Sequence, residues 1–122
     1  MPADNERRVE ELTARMAKLK LFVILSRGKG LDLKPHLVEH LEYMIALERK
    51  GKLFASGPMG APGSGNGMTV VRAESEDEAR AIAENDPFTR HGLREFSVES
   101  WTVMEGSLRL TANLSDGTVR LS

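Results

Sequence analysis

The order in which strand-like and helix-like segments follow each other constrains this chain more than any other feature. Lys18–Arg27 is a β-rich run with a continuously apolar centre, which indicates a strand covered on both faces. Pro35 then opens a helix that ends at Gly51, since proline suits a first helical turn and glycine the residue after the last one. Lys52–Gly57 predicts a short second strand, ended by Pro58.

The second half of this region follows with two more strands around one helix. Met68–Ala73 predicts the third strand, and Ser75 with Glu78 makes a capping box that begins the second helix. Asp86-Pro87 ends that helix, because a residue before proline is driven out of the α region. Arg94–Met104 alternates between apolar and polar residues and predicts the fourth strand.

Residues 18–104 therefore have the order β-α-β-β-α-β. This is the order of a ferredoxin-like α+β domain, with a four-stranded antiparallel sheet and both helices on one face. The other face of such a sheet is bare unless something covers it, yet the first strand reads as buried on both faces. We therefore predict a homodimer whose open sheet faces pack against each other, assisted by the long last strand.

The two ends of the chain lie outside this pattern. Residues 1–17 carry Val9, Leu12 and Met16 at helical spacing and predict an amphipathic N-terminal helix. Residues 105–122 alternate on either side of Asp116-Gly117, which predicts a C-terminal β-hairpin. The predicted organisation is thus a helical extension (1–17), a domain (18–104) and a tail (105–122).

The glycine-rich segment Met59–Gly67 resembles a phosphate-binding loop only in composition. A phosphate-binding loop needs a following Lys-Ser/Thr and a helix whose N-terminus meets the phosphate, whereas here a strand follows. We interpret the segment as a mobile surface connection, which could still act as a lid.

Composition narrows the classes of function. The 17 basic and 18 acidic residues nearly cancel, and no basic stripe is present, so we expect neither a nucleic acid nor a membrane as partner. The absence of cysteine excludes disulfides, thiolate metal sites and a cysteine nucleophile. The N-terminus lacks the apolar segment of a signal peptide, and we expect a cytoplasmic protein.

The histidines and one aspartate are the residues best suited to chemistry. His40 lies on or beside the apolar stripe of the first helix, with His36 one turn earlier. From the residues alone, a histidine on an apolar face is more often a packed structural residue. Asp86 before Pro87 is a good N-cap, in which one carboxylate oxygen accepts a backbone N–H and the other stays free for a site.

Several short motifs, in this order, resemble those of the YCII-related (YciI-like) family. They are His40-Leu41, Arg49-Lys50-Gly51-Lys52-Leu53, Ser56-Gly57-Pro58 and Asn85-Asp86-Pro87-Phe88 ahead of Gly92-Leu93. The resemblance covers roughly residues 19–104 and implies a ferredoxin-like domain that forms a dimeric α+β barrel, with a cleft in which His40 meets Asp86. The family is mostly of unknown activity. It is related in fold to muconolactone isomerases and small cofactor-free monooxygenases, and a dehydrochlorinase-like role is associated with it.

With the resemblance, we expect His40 and Asp86 to form a catalytic dyad. A carboxylate that accepts a hydrogen bond from one imidazole nitrogen orients the ring and leaves the other nitrogen as a general base or acid. Such a dyad needs no metal and no cofactor, and His36 lacks an obvious third ligand for a metal site.

The predicted function is a cofactor-independent lyase or isomerase that transfers a proton on a small acidic or phenolic metabolite. The alternative is a non-catalytic dimeric module that binds a small ligand or serves as an accessory protein. Ser56, Gly57 and His36 are the candidate ligand-binding residues. We interpret Arg27, Arg90 and Arg94 as solvated surface charge, although any of them could bind a substrate carboxylate.

Overall fold

The computed structural model of the protein describes residues 2–122. The elements of the chain are, in order, α1 (Pro2–Thr13), β1 (Leu19–Gly28), α2 (Leu37–Arg49) after a 3₁₀ turn (Lys34–His36), β2 (Leu53–Pro58), β3 (Gly67–Val71), α3 (Glu76–Glu84), α4 (Pro87–Arg90), β4 (Arg94–Val103), β5 (Leu110–Asn113) and β6 (Thr118–Leu121). No helix within residues 2–122 is long and apolar enough to cross a membrane.

The chain forms two compact units, the larger of which is residues 20–102. The terminal segments, up to Leu19 and from Val103 onward, make up the other unit. The predicted N-terminal helix is present as α1, although it ends at Thr13 and Met1 lies outside the described residues. The predicted hairpin is confirmed, since β5 and β6 pair antiparallel from Leu110↔Leu121 to Asn113↔Thr118. The division at residues 17 and 104 stays a prediction.

The larger unit has the predicted ferredoxin-like architecture. Its four strands form one antiparallel sheet in the order β2-β3-β1-β4. β1 pairs with β3 from Phe22↔Val71 to Ser26↔Gly67, and β3 pairs with β2 across a register shift near Ala55. Two strand–helix–strand connections produce this order. β3 lies between β1 and β2, which are connected through α2, and β1 lies between β3 and β4, which are connected through α3.

Local sequence signals account for the ends of the main helices. Gly51 has φ +74°, and the N–H of the next residue, Lys52, donates to the Leu47 carbonyl at 2.9 Å, which is the hydrogen bond of a Schellman motif. Ser75 Oγ accepts the N–H of Glu78 at 3.1 Å and so caps α3 as predicted. The Glu78 carboxylate accepts the N–H of Glu74 instead of that of Ser75, so the capping box is not fully reciprocal.

The core lies between the sheet and α3. The buried residues of this cluster come from three strands and one helix, and they are Ile24, Val71, Ala79, Ala83 and Val98. Leu21 is also buried, and since successive strand residues point to opposite faces, it lies on the other side of β1 from Ile24. β1 is therefore buried on both faces over this part of its length, as its apolar centre predicted.

Candidate active site

A histidine on α2 and an aspartate at the start of α4 are in direct contact. His40 Nδ1 lies 2.8 Å from Asp86 Oδ1, although the two residues are 46 positions apart in the chain. Asp86 is extended, and Pro87 holds the first position of α4, so the turn begins at this aspartate. The ferredoxin-like topology packs α4 against α2 and thereby brings the two side chains together.

One carboxylate oxygen of Asp86 serves both of its hydrogen bonds. Oδ1 accepts the N–H of Phe88 at 3.0 Å and also contacts His40 Nδ1. The cap rule leaves the second oxygen free for a site, whereas His40 contacts the oxygen that also caps the turn. The Phe88 N–H fixes the position of Oδ1, and this same oxygen contacts His40. The N-cap of α4 therefore also positions the carboxylate of the dyad.

The His40 ring is fixed on two sides. It stacks on the Phe88 ring at a centroid distance of 4.2 Å and an interplanar angle of 15°, and Phe88 is buried. An ionised carboxylate can only accept a hydrogen bond, so in the neutral ring the proton is on Nδ1 and Nε2 is left as the acceptor. The side chain is 12% exposed, which leaves the ring within reach of the cleft beside it.

That cleft has a volume of about 650 Å³. Its wall is mostly apolar, with few polar groups, as is typical of small-molecule sites. α2 contributes one side and β2 the other. The lining includes Leu37, His40, Leu41, Ser56, Gly57, Thr69, Phe88 and Arg94. Ser56 Oγ and Thr69 Oγ1 are 3.0 Å apart, so two hydroxyl groups lie together on the β2–β3 side.

Arg94 is a buried cation on the wall of this cleft. It is 8% exposed, its Nε donates to the Gly65 carbonyl at 2.7 Å, and its guanidinium lies 4.7 Å from the Phe88 ring centroid. Burial lowers its pKa, and the negative charge of Asp86 opposes that effect. Within residues 2–122 no carboxylate lies at ion-pair distance, so this guanidinium is available to an anion in the cleft.

The interpretation of Arg94 as solvated surface charge was wrong. Arg94 begins β4 and is in phase with Phe96 and Val98, which pack in or against the core. Side chains two positions apart on a strand share a face, so the alternation of β4 could have placed Arg94 on the inner face. Thr69 was not predicted as a site residue. The alternation of β3 could have placed it on the inner face, because it lies two positions from buried Val71.

Tyr43 ties α2 to α3 behind the dyad. Its hydroxyl donates to the Ile82 carbonyl at 2.7 Å. Burial raises the pKa of Tyr43 to about 12, and the charge of Asp86 adds to this effect. Near neutral pH the phenol therefore stays protonated and acts as a hydrogen-bond donor, not as a base.

The remaining predicted site residues divide into two groups. Ser56 and Gly57 line the cleft, whereas His36 does not. His36 instead stacks on His91, with ring centroids 3.6 Å apart. The loop after Pro58 is held by the rest of the domain, since Asn66 Oδ1 accepts the Gly28 N–H at 2.9 Å and Arg94 donates to Gly65.

A comparison with known protein families identifies the family of this chain. The model of the YCII-related domain matches residues 21–102. The chain belongs to the YCII-related family. The resemblance drawn from the motifs around His40, Gly51, Ser56 and Asp86 is thereby confirmed.

One solved structure is similar to this YCII-related protein over most of its own length. It is 5-chloro-2-hydroxyhydroquinone dehydrochlorinase from Burkholderia phenoliruptrix AC1100, in complex with 2,5-dihydroxybenzoquinone. The sequence identity is 30% and the TM-score is 0.55, over 66% of this chain and 92% of that chain. A search of curated protein sequences gave no significant match.

Proposed function

We propose that this YCII-related protein is a small cofactor-independent lyase or isomerase in which His40 transfers the proton. The observation that carries the proposal is the 2.8 Å contact between His40 Nδ1 and Asp86 Oδ1 on the wall of a cleft. A histidine that is oriented by a carboxylate and packed against an aromatic ring has the arrangement of a general base. The similarity to a dehydrochlorinase, which is a lyase-type enzyme, supports the same reaction class.

The cleft favours a small, flat and anionic substrate. Its apolar wall, with Leu37, Leu41 and Phe88, suits a ring or an unsaturated chain, and the guanidinium of Arg94 suits a carboxylate or phenolate oxygen. The hydroxyl groups of Ser56 and Thr69 supply further hydrogen bonds. We therefore propose a small acidic or phenolic metabolite, and the dihydroxyquinone in the similar structure supports this class of ligand.

The proposed reaction assigns one role to each group. His40 Nε2 removes a proton from an O–H or C–H group of the substrate, and Asp86 stabilises the imidazolium that forms. In a lyase, the electrons left by the proton form a new double bond in the substrate, and a leaving group departs with the electrons of its own bond. In an isomerase, His40 returns the proton to another carbon. Arg94 holds the negative charge that develops on the substrate oxygen.

We further propose that the active protein is a homodimer. Val23, Met68 and Trp101 line an apolar depression on the sheet face opposite the Ile24 core cluster. An exposed tryptophan beside aliphatic side chains is typical of the centre of a protein interface. Packing two such faces together gives the dimeric α+β barrel implied by the family resemblance.

A substrate screen tests the enzymatic proposal. Hydroxylated and chlorinated aromatic compounds and unsaturated carboxylic acids are incubated with the protein, and product is followed by absorbance, chloride release and mass spectrometry. We expect turnover of at least one compound, reduced at least about 10²-fold in His40→Ala, since general base catalysis contributes about 10²–10⁴. Arg94→Gln should raise KM for anionic substrates.

Glu42→Ala is the matched control, because it truncates an exposed side chain outside the cleft on α2, the same helix that carries His40. It should retain wild-type turnover, and circular dichroism should show that the three variants are folded. The proposal is overturned if compounds raise the melting temperature of the wild-type protein but none is converted, because that result describes a binding module. It is equally overturned if His40→Ala turns over as fast as the wild-type protein.

A further inference from the structure

A second cluster of potential ligands lies beside the dyad but outside the cleft. It consists of His36 at the end of the 3₁₀ turn, Glu39 in the first turn of α2 and His91 just after α4. One nitrogen of each imidazole and a carboxylate oxygen all lie within 4.8 Å of one another. None of the three side chains lines the cleft, so the proposed reaction does not use them.

The contacts in this cluster are longer than good hydrogen bonds and leave room for a shared ion. His36 Nδ1 is 3.4 Å from Glu39 Oε1, and His91 Nε2 is 3.5 Å from Glu39 Oε2. Good hydrogen bonds between nitrogen and oxygen are about 2.7–3.2 Å long. Ligand atoms about 2.0–2.1 Å from a tetrahedral zinc ion are about 3.3–3.4 Å from each other. The two separations above are close to this value but involve different oxygens of Glu39, so the exposed carboxylate has to rotate to present one oxygen to both histidines.

We propose that His36, Glu39 and His91 bind a divalent transition-metal ion, for which Zn²⁺ is the probe. Two imidazole nitrogens and one carboxylate are a ligand set that Zn²⁺ accepts, with a water molecule in the fourth position. Nitrogen ligands select such ions over Mg²⁺ and Ca²⁺, which prefer oxygen. From the sequence, His36 lacks an obvious third ligand for a metal site. The structure brings His91 close to His36 and Glu39, and these three residues supply the ligands.

The exposure of the cluster agrees with this proposal. The His36 and His91 rings are stacked nearly parallel, at an interplanar angle of 15°, so one ring has to turn before both in-plane lone pairs point to one ion. Both imidazoles are partly exposed and have room to turn. An ion can reach the cluster from solvent, and exposed side chains can make the small adjustments that coordination requires.

The position of the cluster gives the ion a structural role. His36 and Glu39 belong to the start of α2, and His91 follows the end of α4. These are the two elements that carry His40 and Asp86. An ion bound by all three residues would join α2 to α4 and hold the dyad-bearing elements together, in addition to the hydrogen bond of the dyad itself.

Isothermal titration calorimetry on the full chain, free of any affinity tag and pretreated with a chelator, tests the proposal. We expect Zn²⁺ to bind with a 1:1 stoichiometry and to raise the melting temperature, because it binds the folded state. His91→Ala and Glu39→Gln should each weaken Zn²⁺ binding at least ten-fold. Glu42→Gln is the matched control, since it removes an exposed carboxylate from the same helix without touching the cluster, and it should bind Zn²⁺ as the wild-type protein does.

Three results would overturn the metal site. The first is no binding of Zn²⁺ by the wild-type chain. The second is binding that His91→Ala and Glu39→Gln leave unchanged, or that His40→Ala removes in their place. The third is equal affinity for Mg²⁺, which would show a site of oxygen ligands. Histidine ring resonances in NMR spectra give a second readout, since Zn²⁺ should shift those of His36 and His91. Because both readouts measure binding, they are independent of whether the protein catalyses a reaction.

Discussion

At the scale of single residues, the chemistry of Asp86 was visible in the sequence, but its partner was not. Asp followed by Pro predicts an N-cap from local rules, and the cap is present. No local rule connects this carboxylate with a histidine 46 positions earlier, and only the family resemblance joined them. The use of Oδ1 for both contacts could not be predicted, because it depends on the direction from which α2 approaches α4.

The shared oxygen makes Asp86→Asn an informative substitution. An asparagine keeps an Oδ1 that can accept from both Phe88 N–H and His40 Nδ1, so stability should change by less than about 1 kcal/mol. The negative charge that stabilises an imidazolium is lost, and turnover should fall about 10²–10⁴-fold. Asp86→Ala removes the acceptor as well and should cost about 1–3 kcal/mol, since it leaves buried donors unpaired.

Urea unfolding and steady-state rates on a substrate found in the screen measure the two effects separately. If Asp86→Asn is as active as the wild-type protein, the charge of Asp86 has no part in the reaction, and its role is that of a cap alone.

Tyr43 gives a prediction for alkaline pH. Its pKa in the folded protein is about 12 against an ordinary value of 10, so folding favours the protonated phenol. The corresponding stabilisation is complete below pH 10 and is lost as the pH rises from 10 to 12. Tyr43→Phe should be about 1 kcal/mol less stable at pH 8, because the hydrogen bond to Ile82 is missing, and the difference should shrink above pH 10.

Denaturant unfolding of both proteins at pH 8, 9, 10 and 11 checks this difference. Other groups that titrate in this range are the same in both chains and cancel in the comparison. A difference that stays constant up to pH 11 would contradict the inferred shift of the Tyr43 pKa.

At the scale of elements, periodicity predicted where the helices lie but not what each face contacts. The apolar residues of α2 include Leu37, Leu41, Met44 and Ile45 at helical spacing, yet of these four only Met44 is buried, together with Leu47. Leu37 and Leu41 remain partly exposed on the wall of the cleft. Apolar residues three and four positions apart indicate an apolar helix face. This spacing does not distinguish a face that packs in the core from a face that lines a ligand-binding cleft.

The end of β1 packs against the loop after β2, and this contact requires a glycine at position 28. A Cβ at Gly28 would lie 2.7 Å from the Ser64 carbonyl oxygen and 2.9 Å from the Gly65 Cα, both of them backbone atoms. Gly28→Ala should therefore push the loop away and destabilise the fold by about 1–3 kcal/mol. Since Gly65 accepts the hydrogen bond from Arg94, ligand binding should weaken as well.

Gly57→Ala is the control for stability, because a Cβ there meets nothing within 4 Å and the residue is also in a strand. Thermal and urea unfolding of the two variants, with calorimetric titration of a ligand from the screen, measure the effect. Equal stability of Gly28→Ala and Gly57→Ala would show that the loop moves freely and is not held against β1.

At the scale of the whole molecule, the sequence was most informative about topology. Four strand-like and two helix-like segments in a particular order leave few ways to build one sheet, and the predicted ferredoxin-like arrangement is present, with the strands in the order β2-β3-β1-β4. The short turn α4 was expected only as a continuation of the Asp86 cap.

The exposed side of the sheet predicts self-association that one substitution should disturb. Trp101 is 43% exposed, and it shares its depression with Val23 and Met68. If two copies pack through this face, the tryptophan lies near the centre of the interface, where a charge has no partner. Sedimentation velocity should then show a dimer for the wild-type chain at tens of micromolar and a shift toward monomer for Trp101→Asp.

Leu114→Asp provides the comparison, since Leu114 is 96% exposed in the turn between β5 and β6 and the change in charge is the same. This variant should sediment like the wild-type protein. A wild-type chain that is monomeric throughout the concentration series would refute the homodimer. A Trp101→Asp variant that remains as dimeric as Leu114→Asp would instead place the interface on another face, because an aspartate buried without a counter-charge costs several kcal/mol in each copy.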